Sequence, residues 1–382
     1  MESPEMTRFV DVSAYLPDGR RTPGRLGPGQ LTTVPLEVVS VGPTELVLPE
    51  VTVRDERGVP LLDPNETQLL SEPSQGGGPR VTADEDFQAR VFGLTNTAVN
   101  AQRMLRTMAE LLGQPLPHLL IRIGMHESPR RWRGGHYRVA ARSYDPPEFG
   151  DAQVTGEIHL GGGDGQIPDP DGGEPYFGAP SHNLAIVYHE IGHHVCRHTA
   201  DFRLNQLRPP TEQTNKKVAV DEGTCDILTA IMLDRPDIYG WHRATTPEWE
   251  RRRRGLHPRW TMARFEGGSF DPHFDGTIWA SGCWTARESV AAAGYDRARF
   301  DRMLLQGLHL SGALPEDGRS EEERTKLALK QRRYVSTLLE ALLAADPELT
   351  DPVLAGMAAH GIHPGASNVA LREAALAAKL AS

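Results

Sequence analysis

Cysteine is scarce in this chain: Cys196, Cys225 and Cys283 are the three thiols in 382 residues. Three thiols so spaced make no disulfide framework, and on apolar-rich helical stretches they read as reduced, small core residues. A leader is not expected either. Residues 1–22 are polar and hold no apolar run, which excludes a signal peptide from that stretch. No segment approaches the 18 or so apolar residues of a membrane span, so no membrane partner is expected. Basic excess is absent too: the net charge is −10 and the isoelectric point near 5.8, which excludes the electrostatic footprint of a nucleic-acid binder. The one basic block, Arg251 to Arg254, is expected to be a solvated helix face or loop. The simplest location is the cytoplasm, with leaderless export as the other route. No internal repeat is present.

What is there begins with composition. At 38% hydrophobic and 24% charged, the chain is globular and long enough for a large core or two lobes. Residues 1–80 read as β and loop: 32–39, 45–48 and 50–54 look like short strands punctuated by Gly and Pro, and 72–80 like a linker. A helix is predicted over 84–112, where Phe87, Val91, Leu94, Ala98, Ala101, Leu105, Met108 and Leu112 recur three or four apart. Gly113 stops it. Strands are predicted at 119–123, 136–144 and 156–160, then helices at 216–233, 277–293, 300–310, 321–345, 352–360 and 366–380. The resulting expectation is an α+β protein in three stretches. They are a β-rich N-terminal module (1–80), an α/β lobe (81–205) and a mainly helical lobe (206–382).

The most informative stretch is Tyr188-His189-Glu190-Ile191-Gly192-His193-His194. Apolar residues 184–188 run into it, and Ser181 or Asn183 is placed to cap a helix there. On a helix, His189 and His193 leave the same face, and two neutral imidazoles can take two corners of a zinc tetrahedron. Glu190 is rotated about a third of a turn from His189, so it reaches the water on the metal rather than the metal. That is the arrangement peptide hydrolysis needs at neutral pH.

A catalytic zinc needs a third protein ligand and an open position. His198 fails as that ligand, because the longer H-E-x-x-H-x-x-G-x-x-H pattern would need Gly at Cys196 and His at Thr199. Asp226, in Gly223-Thr224-Cys225-Asp226, echoes the G-T-x-D of aspartate-zinc peptidases. Glu222 lies one turn earlier on the same helical face. Glu222 as ligand leaves Asp226 to accept a hydrogen bond from the far nitrogen of a ligand histidine, a partner that metal-bound imidazoles almost always have. Glu222 is favoured over Asp226 on that ground.

At this point the chain resembles the gluzincins, the thermolysin-like and fungalysin-like metallopeptidases, whose H-E-x-x-H is followed on the next helix by E-x-x-x-D. His273-Phe274-Asp275-Gly276-Thr277-Ile278-Trp279-Ala280, continuing to Trp284 and Arg287, is similar to the H-x-x-G-x-x-W-A-x-x-x-W-x-x-R segment of the fungalysin-like group. The resemblance spans the helix at 84 to about Arg287. It implies a two-lobed thermolysin-like fold, a mixed sheet with the metal helix and then a mainly helical lobe, with one catalytic Zn2+ at the floor of the cleft. It also implies His189, His193 and Glu222 as ligands, Glu190 as general base, Asp226 in the second layer, and His273, just before a helix, as hydrogen-bond donor to the oxyanion. The substrate would be a peptide or protein. The family's connecting tyrosine has no counterpart between His194 and Glu222, and its Asn-Ala is not found in 136–144. Two other readings stand beside this one: a non-catalytic protein that keeps zinc as a staple, and a zinc hydrolase of a non-peptide substrate.

Overall fold

In the computed structural model, the described residues are 7–17, 29–73, 83–125, 134–138, 157–163, 166–167, 176–177, 179–200, 215–239, 253–267, 272–312 and 335–381. The strands are β1 (Arg8–Leu16), β2 (Gln30–Val38), β3 (Ser40–Val41), β4 (Glu45–Val47), β5 (Val51–Asp55), β6 (Gln68–Leu69), β7 (Leu119–Met125), β8 (Gly135–Arg138), β9 (Glu157–Gly161), β10 (Gln166–Ile167) and β11 (Tyr176–Phe177). The helices are α1 (Ala83–Leu112), α2 (Leu184–His198), α3 (Asn215–Leu233), α4 (Pro272–Ala292), α5 (Arg297–Gly312), α6 (Val335–Ala345), α7 (Thr350–Ala358) and α8 (Asn368–Ala381). The expected α+β class with mixed sheets is borne out at that level. Among the described residues, no helix is long and apolar enough to cross a membrane. Part of the linker expected at 72–80, most of the strand expected at 136–144 and the first part of the helix expected at 321–345 lie outside the described residues.

The chain divides into two compact units. The first takes Met1–Thr107, Leu116–His194 and Tyr239–Arg252, and the second Met108–Pro115, Val195–Ile238 and Arg253–Ser382. In the first, a six-stranded sheet runs β3-β4-β5-β7-β9-β8. Val53, Ile121, Ile158 and Tyr137 lie in register across its centre, and all four are buried. The period of two puts Arg54, Arg122, His159 and His136 in register on the opposite face. There Arg54 pairs with Glu45, and Arg122 with Glu56 and Glu157. The parallel pairing of β5 with β7 joins strands from before and after residue 80 in this one sheet. A second sheet, β2-β1-β6, buries Val10, Val12, Leu36 and Val38.

Helix α1 joins these layers through polar side chains as well as its apolar stripe. Thr95 donates to the carbonyl of Ser13 at 2.8 Å, and the Tyr15 amide donates to Asn96 at 2.9 Å. Asn100 donates to the carbonyl of Tyr15 at 3.1 Å and accepts from the Tyr188 hydroxyl at 2.6 Å. Buried polar groups of this kind cost stability unless partnered, so the set fixes where β1 and the start of α2 lie against α1. Gly113 ends the helix as expected, at φ +79° with its N–H on the Ala109 carbonyl.

The second unit is built from helices. The closest pairings are α3 with α4, α5 with α6 and α4 with α7. Small residues mark the crossings: Gly223 meets the backbone of Gly276, Gly307 that of Leu342, and Gly356 that of Ala286. Arg287 on α4 donates to both carboxylate oxygens of Asp301 on α5, at 2.7 and 3.0 Å.

Candidate metal centre

Helix α2 is held at its start and on one side. Asn183 is its cap, accepting from the Ala185 and Ile186 amides at 3.0 and 3.3 Å. Tyr188 is buried on Asn100, and burial pushes its hydroxyl up to about 12, so it stays a neutral donor. His194 contacts the Pro117 carbonyl at 2.9 Å through Nε2 and the Tyr137 hydroxyl at 3.3 Å through Nδ1. This third histidine of the motif ties the helix to the sheet.

His189 and His193 share the other side. Their ring centroids are 5.0 Å apart and their planes nearly perpendicular. His189 and Glu190 are buried and His193 is half-buried. Glu190 lies against strand β8: a Cβ added to Gly135 would come 2.6 Å from its Cγ and 2.8 Å from its Oε1. Only glycine at 135 leaves that room.

In the second unit, α3 presents Glu222 and α4 presents His273. The helix begins at Pro272, a favoured first position, so His273 sits inside the first turn instead of before it. Its Nε2 lies 3.1 Å from Glu222 Oε2. The donor expected at the oxyanion is thus directed at the carboxylate expected to bind metal. Asp226 accepts from Arg254 through both oxygens, at 2.6 and 3.2 Å. Both residues are buried. Arg254 is therefore no solvated surface charge, contrary to the expectation for the basic run, whereas Arg251 and Arg252 lie outside the described residues.

The motif around His273 is spent on packing. Gly276 admits Gly223 of α3, and the wholly buried Trp279 donates its indole N–H to Thr224 at 3.2 Å. Asp275 accepts from the Glu266 and Gly267 amides at 2.8 and 2.9 Å. Together these contacts set the height of His273 against Glu222.

A further donor group lies beside this one. Cys196 on α2 and Asp221 and Cys225 on α3 are all buried, and their ligand atoms lie within 4.8 Å of one another. Buried cysteine, carboxylate and histidine groups able to hold a metal are therefore present among the described residues. Burial, Cys196, and the carboxylates of Asp221 and Glu222 raise the Cys225 thiol well above its ordinary value.

Three features were not found from the sequence. The Gly134-Gly135 pair was the one signal for the close approach at Glu190. Arg254 was hidden in a run of like charge. Nothing local marked Cys196 and Cys225 as neighbours. Neither models of known protein families nor curated proteins give a match to this chain.

Proposed function

We propose that the protein is a zinc-dependent endopeptidase of gluzincin type, with the two-lobed thermolysin-like arrangement that class implies. The observation that carries the reading is the His189–His193 pair, two imidazoles 5.0 Å apart on one face of α2, with the carboxylate of Glu190 on the same helix. His189, His193 and Glu222 are the proposed ligands.

The donor set fits zinc: two nitrogens and one carboxylate oxygen are a known catalytic combination that leaves a position open. Zinc, when bound, supplies a Lewis acid that acidifies water and polarises the peptide carbonyl. Glu190 takes the proton from the attacking water as its oxygen bonds to the carbonyl carbon. It then passes that proton to the departing nitrogen as the C–N bond breaks. Gly135 keeps Glu190 in position for both transfers. His273 donates to Glu222 and orients it, in the way second-layer groups fix metal ligands, and a swing of the ring toward the substrate oxyanion is the further role the motif implies. Arg254 neutralises Asp226 beside the ligand turn.

The test is zinc content together with hydrolysis of a mixed peptide library. The wild-type chain should carry about one zinc at this site and cut peptides, and a chelator should stop it. Glu190→Gln should keep the zinc and lose most of the activity, whereas His189→Ala and Glu222→Gln should lose or weaken the metal. A Glu190→Gln chain that cuts at the wild-type rate, or a His189→Ala chain with full zinc, would overturn the reading.

A further inference from the structure

A groove opens beside the smaller sheet of the first unit. On one side of β1, the Asp11 amide donates to the Thr67 carbonyl at 2.9 Å, and β6 pairs in parallel over Gln68 and Leu69. Further along that side, Ser13 and Tyr15 are taken by Thr95 and Asn96 of α1. The same edge of β1 is therefore covered first by β6 and then by α1. Thr67 faces β1, and the Ser71 amide returns to Ser13 Oγ at 3.1 Å. Alternation then turns the N–H and C=O of Gln68 and Leu70 the other way. Among the described residues, no strand pairs with that outer edge of β6. An unpaired strand edge is a template for a further strand.

A cavity of about 540 Å³ is walled by Leu69 and Leu70 on this side and by Phe87 and Val91 of α1 on the other. Its floor is apolar, with Leu61 and Leu62 buried there. Leu70 and Phe87 nevertheless stay 50% and 39% exposed, as the rim of an interaction site does. The charges along the cavity are of one sign. Asp63 and Glu66 line it, with no lysine or arginine, and neither carboxylate is in an ion pair among the described residues.

We propose that this groove binds an extended segment of a partner protein, added as a strand on β6, whose inward side chains are apolar and basic. Main-chain bonds to Gln68 and Leu70 would hold the segment, and alternate side chains would enter the cavity. A lysine or arginine there lays its stem on Leu70 and Phe87 and keeps its charge by Asp63 and Glu66. A helix would leave the strand edge unmet, and an acidic segment would be repelled. The groove shares no residue with the candidate metal centre.

The experiment titrates fluorescently labelled, capped hexapeptides into the full chain and follows anisotropy. Alternate positions are threonine, and the others are leucine, phenylalanine, lysine or glutamate. Members with apolar residues and one lysine should bind best, and glutamate in place of that lysine should weaken them at least about tenfold. N-methylation of one alternate set of amides keeps every side chain but removes the edge bonds, and should also cost about tenfold. Leu70 and Glu66 are exposed, so substitutions there leave the core untouched. Leu70→Asp should weaken binding at least about tenfold, and Glu66→Lys should turn the preference toward glutamate. No binding by any member overturns the proposal. So does equal binding of lysine and glutamate members, or unchanged affinity in both variants. Methylation of either set without effect removes the added strand and overturns it as well. A dimer that Leu70→Asp abolishes overturns it in favour of a second copy of this chain. The peptidase reading fails separately: Glu190→Gln should leave these affinities unchanged, whatever it does to peptide cutting.

Discussion

Gly223→Ala is the most direct probe of how helix crossing sets the Glu222–His273 contact. At an open helical position this change gains about 1 kcal/mol, because alanine has less backbone freedom to lose. Here the added Cβ would stand 2.8 Å from the carbonyl carbon and 3.0 Å from the Cα of Gly276, and nearer still to its carbonyl oxygen. Non-bonded carbons settle at about 3.5–4.0 Å, so the shortfall is about 0.5–1.2 Å. Every opposing atom is backbone, and no rotamer can absorb it. Overpacking of this kind costs about 1–3 kcal/mol, and rigid backbone on both sides places Gly223 at the upper end. After the helical gain is deducted, a net loss of about 2 kcal/mol is expected, or about 4–8 °C in Tm for a unit of this size. The same separation would stretch the 3.1 Å Glu222–His273 contact beyond hydrogen-bond range, so zinc affinity should fall as well. Gly282→Ala on α4 is the control. Its Cβ would meet Ile362 Cδ1 at 2.9 Å and Met357 Sδ at 3.1 Å, which are ends of flexible side chains, so its effect should stay within about 1 kcal/mol. Thermal and urea melts of both variants, with zinc titrations, decide the matter. A Gly223→Ala chain as stable as wild type with unchanged zinc affinity would refute the reasoning.

Three other outcomes follow from contacts already described and from His182. Gly135→Ala should push on Glu190 and lower peptide hydrolysis by about 10- to 100-fold while zinc content holds; unchanged turnover would remove Gly135 from the site. Arg254→Met should leave Asp226 buried without its main counter-charge and cost about 3–5 kcal/mol, and adding Asp226→Leu should restore most of it; urea midpoints of the single and double variants check this. His182 is buried with Nε2 donating to the Ala89 carbonyl at 2.8 Å, and burial lowers it from 6.5 to about 4. The unfolded chain thus takes up a proton near pH 6.5 that the folded chain refuses until about pH 4. The His182 contribution is complete above pH 6.5 and is lost as pH falls toward 4, by up to about 3 kcal/mol. Urea midpoints between pH 7 and 4.5 should fall less steeply in His182→Gln, and equal slopes would count against the assignment.

Local sequence determined the elements and half of the candidate centre. The helix expected at 84–112 runs over Ala83–Leu112, and the one expected at 216–233 over Asn215–Leu233. The apolar period, the glycine stop and the capping asparagine all act within a few residues, so they can be read without a fold. The His189–His193 pair is of the same kind, because a four-residue spacing puts two side chains on one helical face whatever surrounds it. What those faces meet is another matter. Arg254 finds Asp226 across 28 residues, His273 finds Glu222 across α3 and α4, and Gly135 makes room for Glu190 from a separate strand. The parallel pairing of β5 with β7 is likewise invisible in either strand, since the same alternation suits an edge or a centre. Those partners were settled only when each element's buried side was matched to another's. A periodic pattern names a face to be covered, while the covering surface is chosen by shape and charge over the whole core.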